Sequence, residues 1–483
     1  MKTPILLASF LLIWSLQSSA ASWQASPGLT GRLYFTDNLN LTPDDKESDA
    51  VVQVLPSISA RRTGRRVQTR FAYAPSLLFY SSNSELNNVY HILQANVDSE
   101  LIERIFFLDV SANANQSLIN PRSRAAFDAV NNPDAFSQTA SIRVTPDIRL
   151  PVFGGDYVDV RIRPGINYSF VADTADGDSN DGVGGQDSQI NLTSGRLFTR
   201  MPWSINYRRR VFSSDTDDRF GRADGKVGYI LSPRFRADVT AGYDEGRYNS
   251  VNDTSGFRWR LTGTWTPTQR TLFSLGVGEA FFGDDWRLRF RHQHKHSVWR
   301  AEYDVNVENS RQEIVDRQVV QFEDAFGNPL VDPLTGRRED VDVGSAPLVD
   351  DVYVRDRFRL GWAWFRGRNN VDLDLRYDRR DYQSADLDTQ DGRVNLSFSR
   401  RLARRLSGRV RLEYWNHKEE GDPIDAFDFN QYRARIGLNY QLGSRTNASL
   451  DLLRTDRSSD NRLDEYTENR VDLSVSYAWK RGL

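Results

Sequence analysis

Apolar and polar residues alternate one for one along this chain, in segments of roughly ten residues. That period of two belongs to a β-strand with one apolar and one wet face. In "WRLRFRHQHK", Trp286 to Lys295, one parity carries Trp286, Leu288, Phe290, His292 and His294, and the other Arg287, Arg289, Arg291, Gln293 and Lys295. The pattern recurs in "VQTRFAYAPSLLFY" (67–80), "YVDVRIRPGINYSF" (157–170), "GFRWRLTGTW" (256–265), "VRDRFRLGWAW" (354–364), "GRVRLEYW" (408–415) and "VDLSVSYAW" (471–479). No capped helical stretch competes with it, and no second domain is marked off.

Short connections such as "RTGR" (62–65), "LSPR" (231–234), "RGRN" (366–369) and "LGSR" (442–445) separate longer ones. The longer ones lie around 37–50, 81–88, 117–137, 172–188, 213–219, 245–256, 380–391, 416–430 and 455–469, and the longest covers about 310–350. Short turns alternating with long loops is the connectivity of an outer-membrane barrel. The pattern predicts an all-β, antiparallel transmembrane barrel of about 22 strands (range roughly 18–24), with periplasmic turns, extracellular loops and both ends on the periplasmic side. A soluble β-sandwich also alternates. Here, however, the apolar parity is rich in Trp, Tyr and Phe near segment ends, and the other parity is charged on almost every strand. A packed sandwich core would not tolerate those charges.

Composition narrows the setting. Of 483 residues, 27% are charged and 12% aromatic, net charge is −2, and there is no cysteine. That rules out disulfide frameworks and thiolate metal sites, and a mean hydropathy of −0.59 rules out a bundle of membrane helices. "MKTPILLASFLLIWSLQSSAAS" has the charged start, short apolar run and small residues of a signal peptide. It is too short to span a bilayer. Residues 1–20 are therefore expected to direct export, leaving 21–483 as a single barrel domain in a Gram-negative outer membrane. The charges sort with the connections. Asp44, Asp45, Glu47 and Asp49, like Asp173, Asp176, Asp178 and Asp181, make long connections acidic, whereas Arg61, Arg62, Arg65 and Arg66 make a short one basic.

If the apolar parity meets lipid, the other parity lines the lumen. The expected lining then includes Arg161, Arg163, Arg208, Arg210, Arg258, Arg260, Arg287, Arg289, Arg291, Arg355, Arg357, Arg359, Arg409, Arg411, Arg433 and Arg435. Asp159, Asp238, Glu302, Asp304, Asp372, Asp374, Asp378, Glu413 and Asp451 share that parity. Cross-strand pairing accounts for part of this charge. The arginines outnumber the carboxylates placed by parity, and guanidinium groups left over in a narrow aqueous lumen select anions.

Other signals are weak. His292, His294 and His296 have His-x-His spacing, but they continue the lipid-facing parity into a turn and lack a carboxylate or thiolate partner for zinc. "DTADGDSNDG" (173–182) resembles a calcium loop but lacks the glycine register and terminal Glu of an EF-hand. No nucleophile motif, phosphate loop, nucleic-acid module or cofactor site stands out, and a non-enzymatic protein is expected.

The N-terminal third adds a resemblance. "GRLYFTDNLNLTPDDKESDAVVQVLPSIS" (31–59), "APSLLFY", the Asn87–His91 region and "FFLDVSA" leading to "INP" resemble the outer-membrane protein family associated with the PEP-CTERM/exosortase system. The resemblance covers about the first 120 mature residues and implies an exopolysaccharide setting without established catalytic residues. A barrel with an arginine-rich lumen has outer-membrane lipid, the barrel-assembly machinery and acidic polysaccharide as expected partners, and the export setting adds periplasmic export components. The expected function is a pore for exopolysaccharide export. The alternatives are a general anion-selective porin and a structural or surface-attachment barrel plugged by an inward 310–350 loop. A transporter with an N-terminal plug domain is not expected, because the mature chain enters its first strand within about ten residues.

Overall fold

The computed structural model describes residues 23–479 apart from 119–121, 127, 174–178, 214–217, 249, 251–253, 310–351, 384–386 and 422–426. The expected signal peptide, the 310–350 connection and most of the 173–182 loop therefore lie outside the described residues. Strands follow one another around a single sheet, each bonded antiparallel to its neighbours. Strand β1 (Trp23–Thr36) pairs with β2 (Asp49–Thr63) and also with the last strand, β23 (Tyr466–Ala478), which closes the sheet. Closure satisfies every strand edge, the condition for crossing a bilayer with strands.

Two short strands are one stave. β14 (Gly283–Asp284) and β15 (Arg287–Gln293) face β13 (Thr271–Ala280) in one unbroken register, Glu279↔Asp284 and Gly276↔Arg287, and Asp285 N–H donates to the Gly278 carbonyl between them. The barrel thus has 22 staves, as the connections predict.

Connection lengths are less regular than the sequence suggests. One outer connection is just Phe281–Phe282. The expected loop at 172–188 is mostly strand: β8 (Ser179–Ser194) pairs with β7 (Val158–Asp173) from Asp173↔Ser179 onward. Gly182, Gly184 and Gly185 stand where alternating side chains would reveal that strand.

Two pairs of prolines face one another across neighbouring staves. Pro56 and Pro75 take opposite positions on β2 and β3 (Val67–Tyr80), and Pro146 and Pro164 do the same on β6 (Phe136–Val152) and β7. The ladder lapses around each pair and resumes in the same register. Proline has no N–H to give a ladder, so facing two prolines confines both missing donors to one place.

The outer face is apolar, with Ile166, Val239 and Ile436 among its most exposed members. Tyr157, Phe235, Trp265, Phe365 and Trp479 ring it at the short-turn end, and Phe35, Phe79, Tyr168, Tyr243 and Phe257 at the other. These are the two aromatic girdles of a membrane barrel. Leu288 lies mid-stave beside Leu275 and Tyr303 on this face, and Arg289 lies on the opposite one. Leu288→Arg should impair membrane insertion by roughly 2–4 kcal/mol, the cost of arginine at the bilayer midplane of such barrels. Arg289→Leu should insert normally, because its pair with Glu302 is exposed on both sides (72% and 53%) and such pairs contribute about 0–1 kcal/mol. Heat-modifiable electrophoretic mobility after refolding into liposomes measures both. Equal mobility of the two variants would refute the face assignment.

One connection folds inward. Residues 122–126 and 128–135 lie within the outer half of the lumen, where Ala125, Ala129, Val130 and Ala135 pack with wall residues Tyr34, Leu78, Tyr80, Trp415 and Phe429. Tyr80 donates to the Val130 carbonyl at 2.9 Å, and Tyr466 and Gln431 both donate to the Ala125 carbonyl, at 2.6 and 3.0 Å. This is an inward segment among the described residues; the 310–350 loop expected to fold inward lies outside them.

Candidate functional site

The stave register carries the sixteen arginines expected in the lumen onto a single face, the one opposite the exposed apolar side chains. Arg161 faces Asn191, Arg258 faces Gly242, and Asp304 lies between Arg287 and Arg357.

Like charges stand directly opposite one another on this wall. Arg149 faces Arg161, Arg208 faces Arg222, Arg291 faces Arg300, and Arg411 faces Arg435. Such oppositions destabilise a sheet unless an anion intervenes. Carboxylates on diagonal positions supply it around Arg149 and Arg161, Arg208 and Arg222, and Arg411 and Arg435. Asp147, fully buried, takes Arg149 and Arg161 at 2.7 Å each. Asp187 takes Arg208 and Arg210, the latter at 3.3 Å. Asp285 takes Arg258 at 2.6 Å, Arg260 at 3.0 Å and Arg287 at 3.7 Å. Glu308 and Asp378 hold Arg355 and Arg357 between them, and Asp451 holds Arg409 and Arg435. Gly437 lies opposite Asp451, and a Cβ there would collide with its carboxylate, so the glycine makes room for the shared anion.

The remaining candidates pair more loosely. Arg163 reaches Asp109 at 3.5 Å, Arg289 reaches Glu302 at 3.7 Å, and Glu413 lies 3.9 Å from Arg411 and 3.2 Å from Arg433. Arg291 and Arg359 have no ion pair among the described residues. The excess of guanidinium groups is therefore mostly shared around common carboxylates rather than left over. The sequence reading missed Asp147, Asp187, Asp285 and Glu308. Parity alone would have placed Asp147 with Arg149 and Asp187 with Gln189, whereas Asp285 sits beside a turn where the alternation fails.

At mid-height three arginines form a rung across adjacent staves. Arg359 on β17 (Val352–Arg366) faces Arg376 on β18 (Asn369–Tyr382), which faces Arg393 on β19 (Asp388–Arg401). Adjacent strands are about 5 Å apart, so the three cations are close neighbours. Asp374 binds Arg376 at 2.6 Å, and the Trp415 ring lies under the Arg393 guanidinium at 4.2 Å. The sequence list omitted Arg376, the centre of this rung.

His417, which invites no role in the sequence, is buried between Asp391 (3.0 Å) and Glu419 (2.9 Å). Arg122 of the inward segment reaches the same Glu419 at 2.6 Å, so the cluster ties segment to wall. The three histidines at 292–296 do not converge: His292 hydrogen-bonds Thr271, while His294 and His296 belong to a turn. At the outer end of the staves Asn309 donates to Asp218 at 2.7 Å and both are buried.

No family model matches the chain, and no curated protein matches it. Solved structures do. The FrpB iron transporter from Neisseria meningitidis superposes with a TM-score of 0.51 at 10% identity, covering 94% of this chain and 82% of that one. The siderophore receptor PirA from Acinetobacter baumannii gives 0.51 at 7% identity, covering 96% and 81%. PirA from Pseudomonas aeruginosa gives 0.49 at 7% identity, with the same coverage of 96% and 81%. At such identities the likeness is one of fold. The closed sheet and its apolar outer face with two aromatic girdles define the protein as an outer-membrane β-barrel, a fold it shares with FrpB and the Acinetobacter PirA.

Proposed function

We propose that the barrel is an anion-selective conduit, with acidic exopolysaccharide as the cargo. The rung of Arg359, Arg376 and Arg393 carries this reading. A planar guanidinium holds a carboxylate through paired donors and releases it to the next, which suits a polyanion moving along a row of arginines. Residues 122–135 make their contacts among the described residues on the staves flanking β1, and the rung on β17–β19 borders that packed region, with Trp415 touching both. The exopolysaccharide assignment draws on the N-terminal resemblance, whereas the structural neighbours are an iron transporter and siderophore receptors. Protein reconstituted in planar bilayers under a KCl gradient should show a reversal potential of the sign that chloride sets. A second reading, a plugged surface barrel, draws on the inward segment and the Asn309–Asp218 hydrogen bond. It predicts no conductance steps at all.

A further inference from the structure

We infer that the short-turn end of the lumen holds a binding subsite for one acidic sugar unit of the cargo, an inference that rests on the conduit reading. A cavity of about 830 Å³ opens there against the inner wall between β6 and β11 (Phe235–Arg247). That lies within the roughly 300–1,000 Å³ range of small-molecule pockets. Arg149, Arg161 and Lys226, with Arg104 and Arg236, give it five cations against the one lining carboxylate, Asp159.

Arg149 and Arg161 are held so that they can take a second anion. Each binds Asp147 through Nε and Nη2, at distances of 2.7–3.0 Å, which leaves Nη1 of both for another acceptor. Their side chains remain 47% and 42% exposed, although the carboxylate behind them is fully buried. The Phe107 ring lies 4.0 Å from the Arg149 guanidinium and fixes its plane. Lys226 has no ion-pair partner among the described residues and lines the same cavity.

Neutral hydrogen-bonding groups complete the chemistry. Asn191 Nδ2 donates to Asn206 Oδ1 at 3.0 Å, and Asn206 Nδ2 donates to Asp224 at 2.9 Å. This chain orients the Asn191 amide and leaves its oxygen to accept from a ligand hydroxyl. A simple inorganic anion uses the cations alone. A sugar bearing a carboxylate uses the cations for its charge and the amide for its ring hydroxyls. Short turns face the periplasm in barrels of this class, so the subsite lies where an exported polymer first meets the protein.

Calorimetry on the full-length protein in detergent tests this with three probes: trigalacturonate, maltotriose and inorganic phosphate. Trigalacturonate should bind, phosphate should bind at least tenfold more weakly, and maltotriose should give no heat. Lys226→Glu, and in milder form Lys226→Gln, should weaken trigalacturonate binding tenfold or more in protein that keeps its folded mobility. Equal affinity for phosphate and trigalacturonate, or unchanged affinity in both Lys226 variants, would overturn the subsite. The conduit reading fails on a different measurement, ion selectivity in bilayers, so the two failures are distinguishable.

Discussion

An Arg470→Leu protein is expected to show a larger single-channel conductance than the wild type, because the substitution removes the ion that holds residues 122–135 in the lumen. Arg470 is 1% exposed and reaches Asp128 of that segment at 2.9 Å. It also donates to Asn131 at 3.0 Å and binds Asp472 on its own stave at 2.9 Å. Leucine would leave Asp128 and Asp472 without this cation, and breaking a buried pair in that way costs about 3–5 kcal/mol. The closed backbone ladder does not depend on this side chain. The loss should therefore fall on the docked segment, read as higher conductance and faster proteolysis between residues 122 and 135. Unchanged conductance in a folded variant would mean that the segment does not obstruct the path. Acid should act in the same direction. Burial raises the pKa of Asp128, but Arg470 outweighs it and holds the group below the ordinary aspartate value. Its contribution to docking is complete above that ordinary value and is lost as pH falls through the depressed one.

The second large effect is on selectivity. Arg291→Glu combined with Arg359→Glu should lower the anion preference or reverse it, since luminal charge changes by about four units while the lipid face is untouched. Folding should survive for a reason visible in the register. Each new glutamate faces an arginine across the sheet, Arg300 in one case and Arg376 in the other. Arg357→Glu would do the opposite, placing a third carboxylate against Glu308 and Asp378. The reversal potential in reconstituted bilayers measures the change. A folded double variant with wild-type selectivity would reduce the arginine wall to a structural lattice, and the conduit reading would fail with it.

The two girdles, the inward parity of the arginines and the number of staves were all legible in the sequence. Each stave displays its two faces in its own ten or so residues, so the pattern is local and needs no partner to be read. It failed where side chains could not report it, as in the glycine-rich start of β8, and where two residues sufficed for an outer turn.

What only the tertiary structure decided is how the charges meet. Asp451 binds Arg409 from two staves away, and Arg359, Arg376 and Arg393 become one rung only because the register of three staves aligns them. Parity assigns a residue to a face; height on that face depends on the register of every intervening pair. The inward segment is the clearest case. Ala125, Ala126, Ala129 and Val130 form an apolar run unusual for an exposed loop, the one local hint that it is covered. Its anchors, however, are the side chains of Gln431, Tyr466 and Arg470, more than 300 positions along the chain. Closure of the barrel between first and last strand brings those partners together. No stretch of sequence records that contact, because its physical cause is the shape of the whole sheet.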